Sequence, residues 1–196
     1  TNDGVKLYLT EVNKTLEQIT EAEAKDIVKF HLFEDTLTTS SFKDGELPTI
    51  TMYGQYIVTG ISIANGVSGF EINRQALLKE GNIRTGNGFV HSIDHVLKPA
   101  TKTLAQLISE RAEFSIFKQA LVETGYYDTL NTVNLTNPDR RWLTVLAETN
   151  QALLDSGFAS YAALKARYSN TGNPMNALDS LHIYVAYHII PDNKYL

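Results

Sequence analysis

The chain has 196 residues, a formal net charge of −5, a pI near 5.5 and a mean hydropathy of −0.18, the profile of an ordinary globular chain. Its Lys and Arg residues are scattered, so no basic stripe invites nucleic acid, and no apolar run reaches membrane-spanning length. The absence of cysteine excludes a disulfide framework and thiolate metal sites.

Thr1-Asn2-Asp3-Gly4-Val5 reads as a turn leading into a short apolar helix or turn over residues 5–9. Thr20 followed by Glu23 is a capping box, in which hydroxyl and carboxylate satisfy the free amides of a first helical turn. Ala24, Ile27, Val28 and His31 follow at helical spacing, which puts His31 on or beside the apolar stripe. Residues 40–45 are polar and turn-rich. From Leu47 the period changes to two: Ile50 and Met52 alternate with Thr49, Thr51 and Tyr53. Gly54-Gln55 then reads as a hairpin turn, and residues 56–63 as the returning strand. Asn65-Gly66 is a strong turn signal. Phe70-Glu71-Ile72, Ala76-Leu77-Leu78 and Ile83 mark further short strands. Helices first and a meander of strands after them predict an α+β fold, not alternating βαβ units.

The stretch from Gly86 to Pro99 is the most informative. Gly86-Asn87-Gly88 is a turn signal, because Gly and Asn reach positive φ at little cost. Beyond it Phe89, His91, Ile93, His95 and Leu97 fall on one face of a strand, and Val90, Ser92, Asp94 and Val96 on the other. Both faces carry apolar residues, so the strand is expected to be central and covered on both sides, with Ile93 in the core. Pro99 cannot continue a ladder and closes it. The stretch resembles the C-terminal signature of fasciclin-like domains, roughly Asn-Gly-x-x-His-x-Ile-Asp-x-Val-Leu-x-Pro. Asn87, Gly88, His91, Ile93, Asp94, Val96, Leu97 and Pro99 match it at the right spacing.

Residues 98–103 form a connector. Leu104, Leu107 and Ile108 then make one helical stripe, Phe114, Phe117 and Leu121 the next, and Gly125 is a natural stop. Residues 131–141 are polar, with Asn137-Pro138 marking a loop. After this the chain repeats itself. Trp142 to Asn150 resembles the same family's Thr-Val-Phe-Ala-Pro-Thr-Asn strand, with Leu146 for its Phe and Glu148 for its Pro, and Thr149-Asn150 corresponds to Thr1-Asn2. Residues 184–192 parallel residues 27–35. The two offsets, 148 and 157 residues, differ by an insertion that fits residues 169–175, a Gly/Asn/Pro loop. A repeat this long is a tandem domain, not a solenoid.

The expected architecture is therefore an α+β fasciclin-like fold, with helices packed on a mostly antiparallel meander, in two incomplete tandem units. Residues 1–99 would lack their N-terminal helices and first strand, and residues 103–196 their C-terminal strands. The chain reads as a piece of a longer tandem protein. This layout leaves Phe114, Phe117 and Leu121 uncovered, a surface able to pair with another copy. In the rival arrangement residues 104–147 dock into the first unit, and a ladder joins residues 144–147 to the sheet of residues 47–97.

His91, Asp94 and His95 form an H-x-x-D-H cluster. On a strand His91 and His95 lie two pleats apart and Asp94 points the other way, which makes a poor chelate, so no metal is expected. The plainer reading is that these residues hydrogen-bond loops beside the sheet. His31 and His188 end equivalent helices, where the helix dipole favours their charge. No Ser-His-Asp motif accompanies them. Asp139-Arg140-Arg141-Trp142 combines guanidinium and indole, but reads as a solvated turn before a strand. Asn134-Leu135-Thr136 fits an N-glycosylation sequon. Gly86 and Gly88 are too closely followed by a strand to form a phosphate loop. Tyr53, Tyr56, Tyr126 and Tyr127 offer amphipathic contact surface.

The family resemblance implies an exported protein, secreted or anchored at the cell surface as a lipoprotein. It implies adhesion through a cell-surface or matrix protein or glycan, with no catalysis and no cofactor. In adhesive members the Tyr-His region at the end of this helix is associated with receptor binding. Tyr187-His188 keeps the pair, while Phe30-His31 lacks the phenol hydroxyl. Phe30, His31, Tyr187 and His188 are thus the candidate binding residues. Asn87, Gly88, His91, Ile93, Asp94, Leu97, Pro99, Thr149 and Asn150 carry the family signature and are read as structural. The rival classes are a hydrolase or other small-molecule enzyme using the His31, His91 and His95 region, and a structural spacer. An enzyme needs titratable groups converging in a concavity.

Overall fold

Threonine hydroxyls open the first helices. In the computed structural model, which describes residues 1–64, 67–133 and 142–191, Thr1 Oγ1 accepts the Gly4 N–H at 3.2 Å and α1 runs Asn2–Glu11. The short apolar helix or turn expected over residues 5–9 is thus part of a ten-residue helix. The capping box at Thr20 forms in both directions: Thr20 Oγ1 accepts the Glu23 N–H at 3.2 Å, and Glu23 Oε2 accepts the Thr20 N–H at 2.9 Å. It starts α2, Glu21–Phe30, which His31 caps at its C-terminal end. The chain divides into two compact units, the first Thr1–Ala100 and the second from Thr101 onward.

The first unit carries a five-stranded antiparallel meander, β1 Gly45–Glu46, β2 Val58–Ala64, β3 Val67–Ile72, β4 Ala76–Arg84 and β5 Phe89–Ile93, in that spatial order. The period-two stretch at residues 49–53 is not a strand. The Met52 N–H donates to Leu32 O at 2.8 Å and the Tyr53 N–H to Lys29 O at 3.2 Å. The loop thereby serves carbonyls at the end of α2, where intrahelical donors run out. The turn at Gly54-Gln55 does form, closed by Thr51 N–H to Gln55 O at 2.9 Å with Gly54 at φ +89°. The β3–β4 turn rests on Asn73 and Arg74, both left-handed at φ 55° and 52°, as a tight hairpin requires. The expected turn at Asn65-Gly66 lies outside the described residues. None of Gly86, Asn87 and Gly88 is left-handed; their turn is closed instead by Thr85, whose N–H and hydroxyl both donate to Gly88 O.

Two expectations about the signature strand are corrected. β5 stands at the end of the strand order, not in the middle, and its ladder stops at Ile93, well short of Leu97. Val90 is exposed and Ile93 only partly buried, so the strand is not covered on both faces. The core of this unit is Phe30, Leu47, Ile57, Ile72, Ala76 and Leu97, with Ile93 at its margin. Between Glu80 and Ile83 the β4–β5 register shifts, and Asn82 turns left-handed at φ 58°: a bulge that bends β4 over the loop at Thr39.

The second unit is mainly helical. Its elements are α3 Leu104–Ser109, α4 Ser115–Glu123, α5 Tyr126–Asn131, α6 Asn150–Asp155, α7 Tyr161–Tyr168 and α8 Ser180–Tyr187. Gly125, at φ +78°, does end α4, and α5 begins at the next residue. A short ladder joins β6, Thr144–Val145, to β7, Ile189–Ile190, inside this unit. Phe117, Leu121, Leu153, Leu164, Leu181 and Val185 are fully buried together. The expected uncovered surface of Phe114, Phe117 and Leu121 is therefore not there: Phe117 and Leu121 are 0% exposed, and Phe114 packs against the same cluster. Short helices crossing one another supply the cover that the sequence pattern assigned to a sheet. Asn134-Leu135-Thr136, Asn137-Pro138 and residues 139–141 lie outside the described residues.

Asp179, fully buried, caps α8 and anchors the 169–175 loop. Its Oδ2 accepts the Ser169 hydroxyl, the Thr171 N–H and the Thr171 hydroxyl, and its Oδ1 the Leu181 N–H. Burial works to raise its pKa, but these donors outweigh it and hold the carboxyl at about 2. The ordinary value is about 3.9. The stabilisation is therefore complete above pH ~4 and drains away as pH falls through that value toward 2. Thermal melts across this range should show the acid loss in the wild type and not in Asp179→Asn, which at neutral pH should be less stable by roughly 2–4 kcal/mol. In denaturant melts, Leu97→Ala should cost roughly 2–5 kcal/mol, and Ile93→Ala clearly less. Equal costs would return Ile93 to the core.

Candidate functional site

Once β5 ends at Ile93, the following backbone has no strand to pair with, and polar groups from elsewhere in the unit take over. Asp94 N–H donates to Leu77 O at 3.1 Å, while Asp94 Oδ1 accepts the Leu77 N–H at 2.7 Å. The Leu97 N–H donates to His31 Nε2 at 3.0 Å. The Gln75 side chain receives the Lys98 N–H at 2.7 Å and gives its own N–H to Lys98 O at 3.2 Å; Gln55 does the same for Ala100, at 2.9 and 2.7 Å. Gly4 closes the other side. A methyl built there would stand 2.4 Å from Asp94 O, so the start of α1 meets this backbone without room for a side chain. Pro99, which has no N–H to place, sits among these bonds.

The histidines are fixed by the same economy. His31 Nδ1 donates to Ile27 O at 2.7 Å, which leaves Nε2 as the acceptor for Leu97. His91 carries the opposite tautomer: Nε2 donates to Leu37 O at 3.0 Å, and Nδ1 accepts the Asn82 N–H at 3.4 Å. Asn82 in turn binds Thr39 twice, through Oδ1 to its N–H at 2.8 Å and through Nδ2 to its hydroxyl at 2.7 Å. His95 lies past the strand and bonds Asp94 Oδ1 at 2.8 Å, with Lys79 3.3 Å from Oδ2. Burial pushes the Asp94 carboxyl up, but His95, the Leu77 N–H and Lys79 together hold it below its ordinary range. His31, His91 and His95 each serve a different piece of backbone or side chain. Among the described residues no group of three His, Asp or Glu side chains is gathered as a metal would need.

The second unit offers a different geometry. An apolar groove of about 760 Å³ runs between α3, α6 and the end of α8, lined by Leu107, Phe114, Leu146, Ala152, Tyr187 and His188 among others. One polar cluster sits on its wall. Tyr184 Oη donates to Glu148 Oε2, and His188 Nε2 faces the same oxygen at 3.6 Å while Nδ1 donates to Tyr184 O at 2.8 Å. Burial first, and then the bond to Glu148, raise the Tyr184 phenol above its ordinary range. The His188 ring also meets Phe117 edge-on, centroids 5.5 Å apart.

The four candidate binding residues therefore separate. Phe30 is 1% exposed and T-shaped against Tyr53 in the core, so it is no contact residue: a phenol there would have to bury its hydroxyl. His31 is committed at both nitrogens. Tyr187, 87% exposed, and His188 on the groove wall are accessible. Thr149 caps α6 by accepting the Ala152 N–H at 3.2 Å. Asn150 ties that helix to the start of α4, taking the Ile116 N–H at 3.1 Å and donating to Ala112 O and Ser115 Oγ. Sequence reasoning missed Gln55, Gln75, Asn82 and Glu148. Only Glu148, by standing where the family pattern has Pro, left a signal.

A model of the fasciclin domain matches residues 1–99. A solved structure of a FAS1 domain pair from the insect cell adhesion molecule Fasciclin I is similar to the chain at 14% identity and a TM-score of 0.39, covering 96% of this chain and 62% of that one. The chain thus spans less than two thirds of that structure. No curated protein matches it.

The role of His31 is open to direct measurement. His31→Ala leaves the buried Leu97 N–H without an acceptor, at a cost of about 1–3 kcal/mol. Native-state hydrogen exchange should show the Leu97 amide losing protection while the β2–β3 ladder keeps its own. Uniform loss across the sheet would mean that His31 acts through packing and not through this bond.

Proposed function

The chain belongs to the fasciclin domain family, and from that premise we propose that it is a non-catalytic binding module acting in adhesion outside the cytoplasm. Its partner is a cell-surface or matrix protein or glycan, and residues 1–99 and 103–196 are two units of the same kind. The observation that carries the reading is the family match over residues 1–99, joined to what the ionisable groups of that stretch do. His31, His91, Asp94 and His95 are spent on holding backbone and one another, which favours a scaffold that presents surface over a hydrolase that needs a free base. Among the described residues no helix is long and apolar enough to cross a membrane.

Tyr187 is the residue that favours a binding module over a plain spacer. It is a large amphipathic side chain, 87% exposed, at the mouth of an apolar groove. Attachment of cells to the immobilised chain should fall in Tyr187→Ala by about fivefold, the equivalent of ~1 kcal/mol, with the thermal melt unchanged. Attachment equal to wild type would remove Tyr187 from the contact. Turnover of an ester or glycoside panel that disappears in His31→Ala would replace the reading with an enzyme.

A further inference from the structure

The outer edge of β2 is open where β1 stops. β1 pairs with β2 only through Gly45↔Thr59 and Glu46↔Val58, while β3 follows β2 from Thr59 to Ala64. One bond on each side sets the direction of the backbone groups. The Asn73 N–H donates to Val58 O at 2.6 Å, so Val58, Gly60 and Ser62 turn their N–H and C=O groups toward β3. The Leu47 N–H donates to Ile57 O at 2.9 Å, so Ile57, Thr59, Ile61 and Ile63 turn theirs toward the other edge. Thr59 meets β1 there. For Ile61 and Ile63 no backbone partner stands on that side among the described residues. Their side chains share one face and are 66% and 75% exposed. Sheet edges are ordinarily blunted by charged residues, Lys above all, or by Pro. From Tyr56 to Phe70 this chain has no charged residue and no proline.

We propose that the open edge of β2 pairs with β2 of a second copy of this chain, antiparallel, across a two-fold axis at Ser62. The run Gly60-Ile61-Ser62-Ile63-Ala64 reads nearly the same in both directions. An antiparallel copy therefore sets Ser62 against Ser62, Ile61 against Ile63 and Gly60 against Ala64. That register agrees with the backbone. Ile61 and Ile63, whose N–H and C=O groups point outward, form the hydrogen-bonded pairs, and Ile61 of each copy exchanges both bonds with Ile63 of the other. Ser62, whose groups serve β3, falls at the non-hydrogen-bonded pair, where no donor is needed. A slip of one residue would set outward groups against inward ones. The isoleucine side chains of the two copies lie side by side on one face and cover each other. The chain carries a net charge of −5, but this hairpin brings none of it to the axis, so no like charges oppose there. The contact is short, below the roughly 1,200 Å² of stable interfaces, so the dimer is a weak one. It stands on the first unit alone and draws nothing from the adhesion reading.

The test is sedimentation velocity on the whole chain at concentrations up to about 1 mM, the range in which weak pairs form. The wild type should pass from monomer to dimer as concentration rises. Ser62 stands half-buried opposite Gly69, over which a larger side chain has open room. Ser62→Lys and Ser62→Glu should therefore keep the fold, checked by thermal melts. Each sets like charges face to face at the axis and should weaken the dimer at least about tenfold. An equal mixture of the two variants should recover it, as a residue that pairs with its own copy requires. On the wild type alone, hydrogen exchange followed by NMR should show the Ile61 and Ile63 amides gaining protection with concentration. Those of Gly60 and Ser62, already bonded to β3, should not change. A wild type that stays monomeric, charged variants that dimerise as the wild type does, or a mixture that stays monomeric would each overturn the proposal. So would protection gained elsewhere and not at Ile61 and Ile63.

Discussion

A backbone that leaves a sheet must still satisfy its amides, and the first unit is organised around that constraint. From Asp94 to Ala100 the chain runs beside the meander without joining it. Leu77, His31, Gln75 and Gln55, drawn from a strand, a helix end, a turn and a loop, each take one of its N–H groups. These partners are far apart in sequence, so the segment acts as a clasp that fixes α2, the β3–β4 turn and the loop before β2 against one another. The apolar core beneath it is small, with Leu97 as the side chain that the clasp presses inward. Net hydrogen-bond energies are modest, but the penalty for leaving these donors buried and unmet is not.

The second unit solves the problem of cover in another way. Short helices supply little stability of their own, so each is tied by its ends: Thr103, Thr149, Ser160 and Asp179 all cap helices with side-chain oxygens. Asn150 adds a cross-tie between two helices. With the ends fixed, the apolar stripes of α4, α7 and α8 meet in a single buried cluster, and an apolar groove stays open beside it.

Sequence reasoning read the local signals well and the long-range ones poorly. The capping box at Thr20, the stop at Gly125 and the α+β order all rest on contacts within a few residues, and they stand in the structure. The strand predicted over residues 49–53 failed because alternation there reflects a loop docked on α2, whose carbonyls lie 20 or more residues away in sequence. The signature strand was placed correctly but judged too long and too deep. Apolar residues on both faces can mean a central strand, or, as here, an edge strand followed by a clasp whose leucine enters the core. The buried state of Phe117 and Leu121 was hidden for the same reason: their partners Leu153, Leu164, Leu181 and Val185 come from helices far along the chain. Of the candidate contact residues, Tyr187 came from the family's Tyr-His pair, and no pattern in the sequence marked its exposure. Nor was the fate of Phe30 legible, since an apolar residue at a helix end can face either way.

The 169–175 loop, the region where the offsets of the two repeats come to differ by nine residues, is gathered mainly on one side chain. Asp179 gathers donors from Ser169 and Thr171 while capping the next helix, so closing the loop draws on a group the helix needs in any case. The entropy of a loop rises only slowly with its length. Asn170 and Pro174 add further ties, Asn170 Oδ1 taking the Ser180 N–H at 2.9 Å and Pro174 O meeting His182 Nδ1 at 3.0 Å. Gly172, exposed and with no atom packed against it, is the natural point of this loop at which to graft a foreign peptide onto the scaffold.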